Sequence, residues 1–261
     1  MTTSHSPVPV LPFADWLELI DDRSAALRVA AEAADPRARV PGCPDWTARD
    51  LVAHLGEVQR FWAATVAAGP AARPPAEASV PQSEPAGDLL AWSAESTSLL
   101  LETLGTAGPD TECWTWWAES GNPATSGAVA RHQMQEAAVH ARDAQETAGT
   151  TEPLPSDLAL DALDEFLHVG FGSMDGWPHA PARVALASDE GHAWTLILDS
   201  TGASAVRGGP GGGPEADAVL SGSASDLLLA LFRRVPWDGP GLRLIGDPDL
   251  VRQLVVWPPL G

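Results

Sequence analysis

The chain has 261 residues, of which 44% are hydrophobic, enough for one large domain or two ordinary ones. Its formal net charge of −20 leaves no basic surface to release counterions from phosphates, which argues against nucleic acid and against anionic membranes as partners. All 15 basic residues are Arg and there is no Lys, so Schiff-base lysine chemistry and a Walker-type phosphate loop are both excluded.

The opening segment, MTTSHSPVPVLPFADW, has neither a basic start nor a continuous apolar core, so no signal peptide is expected. No run approaches the roughly 20 apolar residues needed to span a bilayer. The composition therefore predicts a soluble cytoplasmic protein, monomeric or homodimeric. Cys43 and Cys113 lie 70 positions apart with no Cys-x-x-Cys spacing, which excludes a Cys-rich zinc site and reads as two single thiols.

Residues 1–148 read as four helices. Phe13, Trp16, Leu17, Ile20 and Leu27 recur at helical spacing in the first. The second follows the breaker Pro41-Gly42-Cys43-Pro44, with Thr47 as N-cap, Asp50 completing a capping box, and Leu51, Leu55, Val58 and Trp62 as its apolar stripe. A Pro/Ala-rich loop over 69–86 precedes a third helix carrying Leu89, Trp92, Leu99 and Leu100. The Trp-rich connection Cys113-Trp114-Thr115-Trp116-Trp117 then leads to a fourth helix over about 125–147, which ends before Gly149. Four helices with one inward face each suggest a bundle, an architecture that builds metal sites from facing side chains.

A linker by composition, residues 149–156, opens a second half (149–261) of α+β character. A helical stretch around 157–170 precedes two strands within 183–199, joined at Asp189-Glu190-Gly191. Trp194, Leu196 and Leu198 alternate there with Thr195, Ile197 and Asp199, as a half-buried strand requires. A Gly-rich loop at 208–214 follows. Beyond it the pattern predicts a strand at 217–220, a helix over about 223–234, a strand at 242–245 and a last helix from Pro248.

The sharpest chemical signal lies on the fourth helix. His132, Glu136, His140 and Asp143 stand at i, i+4, i+8 and i+11, a polar stripe beside the apolar face of Met134, Ala137, Ala138 and Ala141. Residues four apart are neighbours and can reach one ion, whereas His132 and His140 are separated by about 12 Å of axial rise. The helix thus offers either His132/Glu136 or Glu136/His140. A catalytic site needs a third ligand and one open position, and His54 is the best candidate, since it falls in the inward register of the second helix. Two histidines and a glutamate suit zinc best among the divalent metals. The tryptophans Trp46, Trp62 and Trp114 to Trp117 read as core and interhelix packing.

The block VPGCPDWTARDLVAHLGEVQRFW (40–62), with Glu136-x-x-x-His140-x-x-Asp143 on a later helix, resembles the mycothiol-dependent maleylpyruvate isomerase family, part of the DinB-like superfamily of metal-binding bundles. The similarity continues through CWTWW (113–117), LLLALFRRV (227–235) and Leu244-Ile245-Gly246-Asp247-Pro248, so it spans nearly the whole chain. The resemblance implies a four-helix DinB-like bundle followed by a smaller, sterol-carrier-like α+β domain. It also implies metal ligation by His54, Glu136 and His140, with Asp143 supporting a ligand from behind.

Arg234, from the second half, would hold a substrate carboxylate or the polar groups of the thiol, with Arg233 standing where family members usually carry Gly. The implied chemistry is activation of a low-molecular-weight thiol, mycothiol, for addition to an electrophilic substrate, as S-transferase or cis–trans isomerase. Many members carry His immediately before the ligand Glu, where this chain has Gln135, and position 133 near the ligands is also Gln. Two other readings remain open: a ligand-binding protein with a structural metal, and a metal-dependent hydrolase.

Overall fold

A computed structural model describes residues 10–82, 85, 87–208 and 216–260. The chain divides into two compact units, Leu11–Glu152 and Pro153–Gly261.

In the first unit, α1 (Phe13–Ala33) buries Ile20, Ser24, Leu27 and Ala30, one face at helical period. A short antiparallel hairpin, β1 (Arg39–Val40) and β2 (Cys43–Thr47), pairs Val40 with Cys43 and leads directly into α2 (Ala48–Ala68). The sequence marks this segment only as a breaker, because two strands so short carry no alternation to read. The expected capping box is present. The Thr47 side chain accepts from the Asp50 N–H, and the Asp50 carboxylate accepts from the Thr47 N–H. This fixes where α2 starts, and with it the direction in which His54 points.

Asp88 caps α3 (Leu89–Ala107) and Thr125 caps α4 (Ser126–Ala148). The last helix stops at Gly149, which takes the left-handed conformation with φ 73°. α1 packs chiefly on α4, and α2 chiefly on α3. Leu27, Val40, Leu51, Val52, Leu55, Ala137, Ala141 and Ala144 form one buried cluster that joins three of the helices and the hairpin.

A polar network sets the register of this core. Gln59 Nε2 donates to Ser24 Oγ at 2.9 Å, and Thr97 Oγ1 donates to Gln59 Oε1 at 2.9 Å, tying α1, α2 and α3 together. Arg60 donates to Ser96 Oγ at 2.7 Å and lies 5.0 Å above the Trp92 ring. Buried networks of this kind stabilise only when every member meets its partner, so they select one arrangement of the helices.

The second unit opens with α5 (Ser156–Glu165), which runs on through a π-turn at Phe166–Gly170. Five strands follow: β3 (Ala182–Ser188), β4 (Ala193–Asp199), β5 (Gly202–Arg207), β6 (Ala218–Gly222) and β7 (Leu242–Gly246). Their order is β5-β4-β3-β6-β7, antiparallel except for the parallel β3–β6 pair. Trp194, Leu196 and Leu198 are buried, and Thr195, Ile197 and Asp199 are partly exposed, as the alternation requires. β5 is an additional edge strand that the sequence does not announce: it is rich in small residues, and half of its positions are exposed. Of the expected Gly-rich loop, 209–214 lies outside the described residues.

α6 (Ala224–Leu231) packs near α5, and α7 (Pro248–Val256) begins at the Asp247 cap. α6 ends three residues earlier than the pattern predicts. The Arg233 N–H bonds to Ala230 O, the Arg234 N–H bonds to Leu229 O, and Arg233 sits at φ 61°. This pair of bonds is the Schellman closure, whose left-handed position favours Gly. Arg233 thus falls where the backbone favours Gly. Among the described residues, no helix is long and apolar enough to cross a membrane.

Gly56 marks the closest approach of α2 to α3. A Cβ there would lie 2.1 Å from Cζ3 of the buried Trp92. Gly56→Ala should therefore destabilise the bundle, because overpacking of about 1–3 kcal/mol outweighs a helix-propensity gain of about 1 kcal/mol. Thermal denaturation reads the difference, and an unchanged or raised midpoint would contradict this account of the contact.

Candidate metal centre

α2 and α4 bring His54, Glu136 and His140 together. His54 Nε2 lies 3.1 Å from Glu136 Oε1, and His140 Nε2 lies 3.3 Å from the same oxygen. The two imidazoles meet edge to face, with ring centroids 5.1 Å apart at 82°. The three ligand atoms all fall within 4.8 Å of one another. Around a tetrahedral ion with bonds of about 2.0–2.1 Å, ligand atoms stand about 3.3 Å apart. Both separations are close to that edge and the third lies within 4.8 Å, so the set has the size to take a zinc-sized ion.

Behind His140 stands Asp143, fully buried, with Oδ2 3.0 Å from His140 Nδ1. A carboxylate there holds the proton on Nδ1 and turns the Nε2 lone pair towards Glu136 and His54, the usual way a second carboxylate orients a histidine ligand. The side chains of His54 and Glu136 keep 30% and 21% of their surface exposed, against 6% for His140. The cluster is therefore anchored on α4 and open to solvent on the α2 side.

Electrostatics follow from this geometry. Burial works against the charged form of Glu136, but the charge of His140 and hydrogen bonds from both imidazoles outweigh it and hold the carboxyl well below its ordinary range. Burial also works against protonated His140, yet the Glu136 charge and the Asp143 hydrogen bond push it up to about 9.

Two residues take places the sequence reading does not assign. Trp46, read as core packing, is partly exposed and lies over the site, its ring centroid 4.4 Å from that of His54 and 5.8 Å from that of His140. Its position one residue before the Thr47 cap is the signal that could have placed it. Trp62 and Trp117 are buried as expected, whereas Trp116 is 45% exposed. His132 stands apart from the ligand set, with its ring centroid 5.2 Å from that of Trp117 and 6.0 Å from that of Trp62. Gln133, one turn before Glu136, is fully buried, and neither amide atom has a hydrogen-bond partner among the described residues. Gln135 is also buried.

In the second unit, Arg234 is half-buried and donates from Nη1 to Phe232 O at 2.8 Å. Arg233 is exposed and donates from Nη2 to Pro258 O at 2.7 Å.

The sequence pattern of the mycothiol maleylpyruvate isomerase N-terminal domain matches residues 17–145, and that of the MDMPI C-terminal domain matches residues 157–253. The chain belongs to the mycothiol-dependent maleylpyruvate isomerase family. Two crystal structures share its fold: a mycothiol-dependent maleylpyruvate isomerase and a histidine-to-alanine variant of it. Each is 12% identical to this chain, covers 90% of it and 93% of its own length, and superposes with a TM-score of 0.60. No curated protein matches the chain in sequence. The family's arrangement of a helical N-terminal domain before an α+β domain is the one described above.

The raised His140 gives the metal-free protein a defined pH response. Its pairing energy is fully present below the ordinary histidine value of 6.5 and is lost as pH rises through about 9. The Glu136 contribution is present above its ordinary value of 4.5 and is lost as pH falls through its lowered one. Coordination requires neutral His140, so ion uptake near pH 7 should release about one proton from this residue, and well above pH 9 it should release none. Calorimetric titration with Zn²⁺ in buffers of different ionisation enthalpy measures that count. A release independent of pH across this range would contradict the assignment.

Proposed function

We propose that this chain is a metal-dependent enzyme that activates a low-molecular-weight thiol, mycothiol, for addition to an electron-poor conjugated substrate. The product is either the S-adduct or, after bond rotation and expulsion of the thiol, the geometric isomer. The reading places it in the cytoplasm, acting on small soluble molecules. The observation that carries it is the convergence of His54, Glu136 and His140 from two helices, with Asp143 fixing the third ligand.

His54, Glu136 and His140 would hold the ion, with zinc the choice that suits two imidazoles and a carboxylate. A zinc ion bound there supplies Lewis acidity, which lets a thiol act as its thiolate at neutral pH. The protein's own groups do the rest. Asp143 keeps the proton on His140 Nδ1, so that Nε2 faces the ion. Trp46 covers the two imidazoles and excludes water from that side. The exposed edge at His54 and Glu136 is where thiol and electrophile approach.

Arg234 is the residue proposed to bind a substrate carboxylate, since its planar fork offers two parallel donors. Both guanidiniums donate to a backbone carbonyl, Arg233 to Pro258 O and Arg234 to Phe232 O, and Arg234 is the more buried of the two.

Metal analysis and kinetics on one set of variants test this reading. The purified chain should carry about one divalent ion, as three convergent ligands imply. His54→Ala, Glu136→Ala and His140→Ala should each lower occupancy, while His132→Ala should not. Turnover should require an added thiol. Arg234→Ala should keep its metal and lose roughly 10- to 150-fold in kcat/KM, the loss of one charge-assisted hydrogen bond. Full occupancy in all three ligand variants would reject the metal site, and rapid thiol-free turnover of an ester or amide would make the protein a hydrolase.

A further inference from the structure

His140 has ligand-bearing groups at both of its ring nitrogens. Nε2 faces Glu136 and His54, while Nδ1 faces Asp143, whose Oδ2 also lies 3.8 Å from Cys43 Sγ. The Cys43 sulfur, the Asp143 oxygen and the His140 nitrogen all fall within 4.8 Å of one another. Cys43 is held there by the backbone: it pairs with Val40 across the β1–β2 hairpin, and Pro44 follows it. Cys43 as a residue is partly buried, and it belongs to a set of three that is buried within the unit.

The distances have the right size for coordination. Around a tetrahedral ion bonded to sulfur at about 2.3 Å and to nitrogen or oxygen at about 2.0 Å, the S–O edge is about 3.5 Å and the N–O edge about 3.3 Å. The observed 3.8 Å and 3.0 Å differ from these by a few tenths of an ångström. The donor set is also of a different kind from its neighbour. A thiolate favours soft, thiophilic ions, whereas the His54 set contains only nitrogen and oxygen.

We propose that Cys43, Asp143 and Nδ1 of His140 form a second metal site, selective for thiophilic ions such as Cd²⁺ and mutually exclusive with the His54–Glu136–His140 site. The exclusion follows from the shared ring. A neutral imidazole has one lone pair and one N–H. An ion on Nε2 requires the proton on Nδ1, where Asp143 accepts it; an ion on Nδ1 requires the proton on Nε2 and removes a donor from the other set. As the Cys43 Sγ–metal bond forms, the thiol proton leaves to solvent. A thiophilic ion is therefore captured beside the reaction site and disables it, without occupying the position proposed for zinc.

Titrating the metal-stripped full-length chain with Cd²⁺ tests this. The expected result is a thiolate-to-metal charge-transfer absorption that saturates at about one ion per chain, as a single three-ligand set implies. It should vanish in Cys43→Ser, weaken in affinity at least about tenfold in Asp143→Asn, the equivalent of one lost charged ligand at about 1.4 kcal/mol, and persist in Cys113→Ser and His54→Ala. Cadmium-113 resonance on the unsubstituted chain gives the same answer without a variant, by reporting one sulfur ligand. Absorption that survives in Cys43→Ser, is lost in His54→Ala, or never appears would overturn the proposal. Preloading with Zn²⁺ should suppress the band. That arm alone rests on the proposed zinc set, so its failure and the failure of the Cys43 site are distinguishable.

Discussion

One oxygen holds the first unit's chemistry together. Glu136 Oε1 faces the Nε2 atoms of both His54 and His140, on two different helices. A carboxylate placed there with only one histidine would be a partly buried charge with half its compensation. With both, it becomes the common point of the proposed ligand set. Several contacts that fix α2 serve that meeting: the Thr47–Asp50 box that starts it, the Gln59–Ser24–Thr97 network that ties it to α1 and α3, and the packing of Leu51, Val52 and Leu55 with Ala137, Ala141 and Ala144 of α4. His54 opposite Glu136 and Trp62 beside His132 also give α2 and α4 opposite directions, so a residue early in α2 meets the middle of α4.

The site is asymmetric, and the asymmetry suits a ligand set better than a stabilising ion pair. His140 is buried and backed by a carboxylate with no exposure, whereas His54 keeps nearly a third of its side chain exposed. Burying Asp143, His140 and Glu136 costs solvation that apolar residues would not forfeit. The amide of Gln133 adds a further cost by lying in the same helix with no partner among the described residues. Such losses are the rule where a core is arranged for chemistry rather than stability.

Much of this was legible in the sequence, for physical reasons that can be named. The capping box, the Gly149 stop and the alternation of Trp194, Leu196 and Leu198 are local rules, and the chain obeys them. The polar stripe on α4 was visible because helical spacing alone decides which residues share a face. What could not be read depends on neighbours far away in sequence. The β1 strand is too short to announce itself, and β5 is built of small residues with little apolar alternation. Trp46 looks like any core tryptophan until the hairpin lays it over His54. The early end of α6 hides behind an Arg at a position where the backbone favours Gly. Cys43 read as an isolated thiol because its neighbour, Asp143, is 100 residues away.

The central claim is that the native ion is held by two imidazoles and a carboxylate, with Cys43 left out. X-ray absorption at the metal edge of the protein as purified measures this most directly. The account predicts a first shell of nitrogen and oxygen only, at about 2.0–2.1 Å, with the outer-shell scattering of two imidazole rings. A sulfur atom at about 2.3 Å in that shell, or a single imidazole, would contradict it.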